Sequence, residues 1–369
     1  MKILILIGPF SEFSNQSYGG VEKFWFILGK QFKKSNNEVV FISKKTKKNQ
    51  KNKLIDGILF KQIKGYLAPQ NIFLRLFLDF LYTIKALSAL PKDADIIVTN
   101  TFWSPIIFPF FVKKNTKIYV DVARMPKGQM FLYKFADRLR VNTHAVKKNI
   151  IKEVSSSLAK KIKVIPPSIP FKPQLNITPK DKKKLIVYLG RIHEEKGIEI
   201  FIKALKEINL DNWKVRIIGP WKIRDGGSGK DYRNFLVNQL KGKPVFIEEP
   251  ISSKNIFKLY RETSIFVYPS LAVNETFGLS VAEFMSYGAV PIVSNLDCFK
   301  DFIHHNINGV IFNHKKFNSS LLLLNSLKKL MNNNQLRLRL SKNALKINKT
   351  HSPDKIAKVF LSDFKLITK

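Results

Sequence analysis

The sequence predicts an α/β protein of two units, each built on a parallel sheet. Three observations predict it. Strand-like and helix-like stretches alternate along the whole chain, the pattern of βαβ units. The chain has 369 residues, more than one ordinary domain needs. Between residues 166 and 184 it holds Pro166, Pro167, Pro170, Pro173 and Pro179, then the charged run Lys180 to Lys184. That composition suits an interdomain linker.

The elements follow in order. Residues 2–7 read as a first strand rather than a leader, because the apolar run is short and polar residues soon follow. Gly19-Gly20 then opens a helix over 21–34, and a strand follows at 38–43. The lysine-rich run 44–53 reads as a solvated loop. A helix over 71–90 precedes a strand at 96–99. Strands at 117–120 and 139–142 flank a helix placed at 129–138, and a helix over 144–152 leads to Val164-Ile165-Pro166-Pro167. Beyond the linker, strands fall at 185–189, 213–218, 245–247, 265–268, 289–293 and 310–312. Helices fall at 197–207, 231–240, 253–260, 279–287, 319–331, 334–348 and 353–366. The domains are therefore set at 1–170 and 171–352, with the last helix, 353–369, expected to pack back on the first.

Composition bounds the function. Hydrophobic residues make up 45%, enough for sizeable cores. Cys298 is the only cysteine, so no disulfide forms within the chain and a reducing cytoplasm is the expected location. No apolar run is long enough to span a bilayer. Lysine and arginine total 64 against 27 acids, a net charge of +37. Only 11 of the 64 are arginine; a dedicated nucleic-acid surface would use more, since arginine reads phosphate and guanine bidentately. No nucleic-acid motif is present either. A biased genome composition accounts for much of the charge; attraction to an anionic membrane surface ranks second.

Two segments of the second domain carry the chemistry. In Gly190-Arg191-Ile192-His193-Glu194-Glu195-Lys196-Gly197, two cations flank a short loop between a strand and a helix start. In Asn274 to Glu283, Glu275 and Glu283 stand eight positions apart around Phe277-Gly278-Leu279, which opens a helix. A helix N-terminus holds anions well. Cations, a helix start and two carboxylates suit a ligand with phosphates in the middle and hydroxyl-bearing sugars at its ends, which is the shape of a nucleotide sugar.

Four segments then resemble one family. Gly19-Gly20-Val21-Glu22, the stretch from Ala136-Asp137-Arg138 to Val164-Ile165-Pro166-Pro167, the loop Gly190 to Gly197, and the Glu-x7-Glu segment Glu275 to Glu283 are similar to the pattern of retaining family-4 glycosyltransferases of the GT-B fold. The resemblance implies two Rossmann-like domains facing across a cleft. It also implies that Arg191 and Lys196 hold the donor diphosphate, Glu283 the ribose and Glu275 the transferred sugar. Gly190, Phe277, Gly278 and Leu279 complete the donor loop, while Gly19 and Gly20 let backbone approach the donor. Many relatives carry a first-domain histidine near the acceptor. Here the matching region reads Tyr119-Val120-Asp121-Val122-Ala123-Arg124. Trp103, Asp121, Arg124 and Lys127 are the acceptor-side candidates. No cofactor and no metal are implied.

Other signals fall away. Asp93-Ala94-Asp95 mimics a metal-binding Asp-x-Asp but stands just before a strand. Gly226-Gly227-Ser228-Gly229-Lys230 mimics a phosphate loop, but Arg224 and Asp231 break the pattern, leaving a mobile loop beside the donor site. The expected function is sugar transfer from a nucleotide-diphosphate donor to a glycan or lipid-linked acceptor in cell-surface polysaccharide assembly, in the cytoplasm or peripherally on the membrane. The alternatives are another nucleotide-sugar enzyme such as an epimerase, and a basic polyanion-binding protein without catalysis. Residues 71–90 and 102–111 are rich in Phe, Leu and Ile, either as sheet packing or as an interfacial patch toward a lipid-linked acceptor.

Overall fold

The computed structural model describes residues 1–10, 20–45, 52–171, 178–179 and 182–369, without the side chains of 253 and 254. Gly19 lies outside the described residues. The chain divides into two compact units, one of Met1–Pro170 with His351–Lys369 and the other of Phe171–Thr350.

The first unit holds strands β1 (Lys2–Leu6), β2 (Glu38–Lys44), β3 (Asn52–Ile55), β4 (Ile58–Ile63), β5 (Ile96–Thr99), β6 (Lys117–Val122), β7 (Arg138–Val141) and β8 (Ile162–Val164). Their order in the sheet is β3-β4-β2-β1-β5-β6-β7-β8. Every neighbouring pair is parallel except β3 with β4. The strands alternate sides, as the two-residue pleat requires. Ile3, Ile5 and Ile7 face one core, shared with Phe24, Phe32, Phe360 and Phe364. Leu4 and Leu6 face the other, shared with Tyr82, Ala86 and Phe108. The last helix, Pro353–Thr368, thus packs on this sheet through Phe360 and Phe364, and its Asp363 accepts from Tyr119 Oη at 3.0 Å.

Three regions differ most from the sequence reading, which also left β8 and the short helices Ser104–Ile107 and Ser156–Ala159 unread. The β3–β4 hairpin replaces part of the loop read over 44–53. Its turn is Asp56-Gly57, both with positive φ, as a tight hairpin of this type requires. The lysines masked this Asp-Gly signal. The helix placed at 129–138 is a single 3-10 turn, Met130–Tyr133, because Arg138 already begins β7. Finally, the helix placed at 334–348 breaks into Asn334–Ala344 and Ile347–His351.

The second unit holds β9 (Leu185–Leu189), β10 (Lys214–Ile218), β11 (Val245–Glu248), β12 (Ile265–Tyr268), β13 (Val290–Ser294) and β14 (Val310–Phe312), all parallel in the order β11-β10-β9-β12-β13-β14. From β9 the chain winds outward one way to β11, then returns beside β9 and winds the other way. The point of reversal lies between β9 and β12, where open α/β sheets bind ligands, beyond the carboxyl ends of the strands.

Candidate active site

The two loops singled out by the sequence leave the carboxyl ends of those two strands. Gly190–Gly197 follows β9, and the segment through Glu275 follows β12. Backbone pins them together, since Leu271 N donates to Glu195 O at 2.8 Å. Gly197 makes the approach possible. It sits at φ 63°, and a Cβ there would lie 2.1 Å from Pro269 O.

Lys196 and Glu275 meet directly, Nζ to Oε2 at 2.9 Å. Tyr268, the last residue of β12, donates its hydroxyl to the same Oε2 at 2.9 Å. Burial, and then the Glu275 charge, pushes the Tyr268 phenol well above its ordinary range, so it remains a donor. The Lys196 ammonium also lies 5.6 Å from the Tyr268 ring centre. The pair keeps 10% and 14% side-chain exposure. It is dry enough to be strong and open enough to meet a ligand.

Arg191 rides on the same loop. Its guanidinium donates to Glu195 Oε1 at 2.6 Å and to Gly226 O at 2.7 Å, and its own carbonyl accepts from Tyr188 Oη at 2.8 Å. The Gly226–Lys230 segment read as mobile is therefore docked, with Ser228 N also donating to Ile192 O at 3.0 Å. His193 Nδ1 caps the 3-10 turn Glu194–Lys196 by accepting from Glu195 N at 3.2 Å.

Gly278 turns the chain into helix Leu279–Ser286 at φ 84°, where a Cβ would meet the Phe299 ring at 2.5 Å. Phe277 is buried against Phe302, ring centres 4.6 Å apart, so its side chain anchors the turn and its backbone faces the helix start. Glu283 lies in the second turn of that helix and accepts from Tyr260 Oη at 2.8 Å. Lys196 and Glu275 are thus brought into contact, Arg191 is held on the same loop, and Glu283 is held separately through Tyr260.

Sequence reasoning missed Tyr268, Tyr260, Tyr188 and Glu195, the groups that orient the charged ones. For two of them a faint signal existed: Tyr188 and Tyr268 each stand at the end of the strand that feeds a motif loop, and their rings stack 6.1 Å apart.

The first-domain candidates are placed differently. Asp121 is buried, with Oδ1 on Arg140 Nη1 and Oδ2 on Trp25 Nε1, both at 2.7 Å. Both carboxylate oxygens are engaged by core groups, and the residue also lines the cavity that Arg124 borders at the carboxyl ends of β5 and β6. Trp103 donates to Leu76 O at 2.8 Å and wedges between Phe80 and Phe102, so its indole N–H is also taken. Arg124 and Lys127 are exposed. Arg124 lines a cavity of about 100 Å³ at the carboxyl ends of β5 and β6, with Asn100, Thr101, Gln129 and Tyr133. Gly20 begins helix Gly20–Lys34, and among the described residues no atom outside its chain neighbours and its own helix backbone lies within 4 Å of where a Cβ would stand. Asp93 and Asp95 both bind Lys2, at its Nζ and its N, which accounts for that pair structurally.

Comparison with known proteins adds a family match and a fold. Residues 172–347 match the family model of glycosyl transferases group 1. An uncharacterized glycosyltransferase of Methanocaldococcus jannaschii is 32% identical over 132 residues, which cover 35% of this chain and 32% of the relative. The chain thus matches about a third of that curated relative's length. Over its whole length the chain resembles sucrose-phosphate synthase from Thermosynechococcus elongatus, at TM-score 0.77 and 17% identity, covering 99% of this chain and 98% of that one. It also resembles Anabaena Alr3699/HepE in complex with UDP-glucose, at TM-score 0.71 and 16% identity, covering 99% and 100%. The fold is that of GT-B glycosyltransferase structures. The class that fold and site define is a two-unit α/β protein whose second unit carries the group 1 glycosyl transferase pattern.

Proposed function

We propose that the chain is a retaining family-4 glycosyltransferase. It moves a sugar from a nucleotide-diphosphate donor to a glycan or lipid-linked acceptor, in cell-surface polysaccharide assembly. The observation that carries the reading is the Lys196–Glu275–Tyr268 cluster, with Arg191 beside it, at the reversal point of the second sheet. Anabaena Alr3699/HepE, of the same fold, binds UDP-glucose.

In this reading the bond from the anomeric carbon to the diphosphate oxygen breaks, and a bond from the acceptor oxygen forms on the same face. The acceptor proton passes to the departing diphosphate. Negative charge grows on that diphosphate, and Arg191 and Lys196 stabilise it from fixed positions, often the largest catalytic term. The opening turn of helix Leu279–Ser286 adds its N–H groups and dipole. Glu275 accepts from hydroxyls of the transferred sugar, and Glu283 from the ribose. The two cations carry the charge stabilisation, and the reading calls for no metal or cofactor. The cavity beside Arg124 is the acceptor-side candidate, and Lys127 borders the same loop.

A thermal-shift screen against UDP-, GDP- and ADP-sugars tests the donor half, because a ligand that binds only the native state raises its apparent stability. A melting rise with one of them, lost in Lys196→Ala, supports the reading. The absence of any rise sinks it. The anomeric configuration of the product, read by NMR coupling constants, tests retention.

A further inference from the structure

The helix Ile72–Ala89 is inverted relative to a normal surface helix. Its core-facing stripe is Asp79, Tyr82, Thr83 and Ala86, all buried. Its outer stripe carries Phe73, Phe77 and Ile84, exposed by 79%, 55% and 43%. Phe80 lies on that same outer stripe, and its ring packs edge-on against Trp103, 5.5 Å between centres. Trp103 meets Phe102 at 5.2 Å, and Phe102 meets Tyr133 at 6.5 Å. The neighbouring 3-10 turns Phe108–Phe110 and Met130–Tyr133 and the residues just after them expose Phe110, Phe111, Phe131 and Phe135, and Phe110 contacts Phe135 at 5.2 Å. Two aromatic groups, one around Trp103 and one at Phe110 and Phe135, together with the exposed Phe73 and Phe77, form an aromatic belt on the first unit. Clustered exposed apolar side chains of this kind mark interaction surfaces more often than isolated ones do.

The charge around the belt selects the partner. Between residues 57 and 92 the only carboxylate is Asp79, which is buried and accepts from the N–H groups of Phe102 and Trp103. Between 96 and 136 the only one is Asp121, buried on Arg140. In those stretches Lys113, Lys114, Arg124, Lys127 and Lys134 are all exposed. Lys134 lies 5.0 Å from the Phe135 ring centre. Aromatic side chains on a surface where exposed cations outnumber the exposed acids, Asp93 near Lys113 and Asp95 beside it, match a bilayer of anionic lipid, where rings enter the headgroup region and lysines meet its negative charge. No helix among the described residues is long and apolar enough to cross a membrane, so the contact would be interfacial.

We infer that this aromatic belt, with its fringe of lysines, is the face by which the first unit docks onto anionic membrane. The inference deepens the lipid-linked branch of the function proposed above and rests on it only for the acceptor's identity.

The test is co-sedimentation of the full chain, without donor, with vesicles of phosphatidylcholine alone or mixed with phosphatidylglycerol. The wild type is expected to pellet with the mixed vesicles. Phe73→Ser with Phe77→Ser, or Phe110→Ser with Phe135→Ser, is expected to lower partition about tenfold or more. Lys113→Glu with Lys114→Glu is expected to do the same, and added salt to weaken wild-type binding. The exposed sites leave the melting temperature and the nucleotide-sugar shift intact, so donor binding is read separately from docking. Equal binding to neutral vesicles overturns the inference. So does full binding by both phenylalanine pairs, or a concentration-dependent dimer in ultracentrifugation that those pairs dissolve.

Discussion

Each unit holds one ion pair beyond the carboxyl end of a central strand or within its last residues, and the two pairs differ in one respect that decides their roles. Arg140–Asp121 has side-chain exposures of 1% and 0%, while Lys196–Glu275 has 10% and 14%. In the first unit the guanidinium is stacked between Phe24 and Phe360, at 4.8 and 5.5 Å from their ring centres, and also donates to Ile165 O. Both Asp121 oxygens are taken. That pair has almost no solvent-exposed surface and acts as a structural clamp, although Asp121 also lines the cavity beside Arg124. In the second unit the pair is backed by Tyr268 and keeps part of its charged surface exposed, so a ligand can share its charges. Partial exposure, rather than the presence of a buried charge, separates a site from a strut.

Arg140→Ala sharpens this contrast most. It leaves Asp121 buried without its cation, and about 3–5 kcal/mol of stability is expected to be lost in urea unfolding. Lys196→Ala should do the reverse. Transfer activity is expected to fall about 10²–10³-fold by the cost of removing one charge-stabilising donor, while Tyr268 still holds Glu275 and the melting temperature stays close to wild type. If Arg140→Ala spared stability, or Lys196→Ala cost as much stability as Arg140→Ala, the contrast would fail.

A pH series separates the units further. Burial lowers the His351 pKa from 6.5 to about 4, so the folded state holds it neutral while the unfolded chain takes up a proton. Its contribution is complete above 6.5 and is lost as pH falls toward 4. His351→Gln is expected to remove up to about 3 kcal/mol of that acid sensitivity. Denaturant midpoints between neutral and mildly acidic pH would measure it, and an unchanged slope would refute the assignment. Gly278→Ala should cost about 1–3 kcal/mol through its positive φ, and the Phe299 ring would have to move as well. Its effect on donor binding, read by thermal shift, should exceed its effect on the first unit's clamp. Tyr260→Phe is the mildest. Losing one hydrogen bond to Glu283 is expected to weaken donor affinity by about fivefold, roughly 1 kcal/mol, in titration calorimetry.

The second unit was far more legible in the sequence than the first. All six of its strands were read within a residue or so, because each is a short apolar run closed by a glycine, a proline or a charged loop. The first unit hid β3 and β4 behind lysines, and a run of apolar residues at 129–138 suggested a helix where the chain needed only one turn before β7. Periodicity cannot separate a short buried helix from a loop packed on a sheet. The outward Phe73 and Phe77 were visible as residues. That they face water, while Asp79 and Tyr82 face the core, was not.

What the sequence determined by itself was local. The alternation of strands and helices set the α/β class, and the glycine turns set where helices begin. The spacing of Arg191, Lys196, Glu275 and Glu283 marked a phosphate- and sugar-sized arrangement, because each of these patterns is written within a few neighbouring residues. Tertiary structure alone decided which strands lie side by side. It brought Lys196 and Glu275, 79 positions apart, to 2.9 Å and assigned Tyr268 to hold them. It also consigned Asp121 to the core. Those outcomes depend on how distant segments share buried space, and exclusion of water, which fixes the strength of every charge, exists only once the chain has folded.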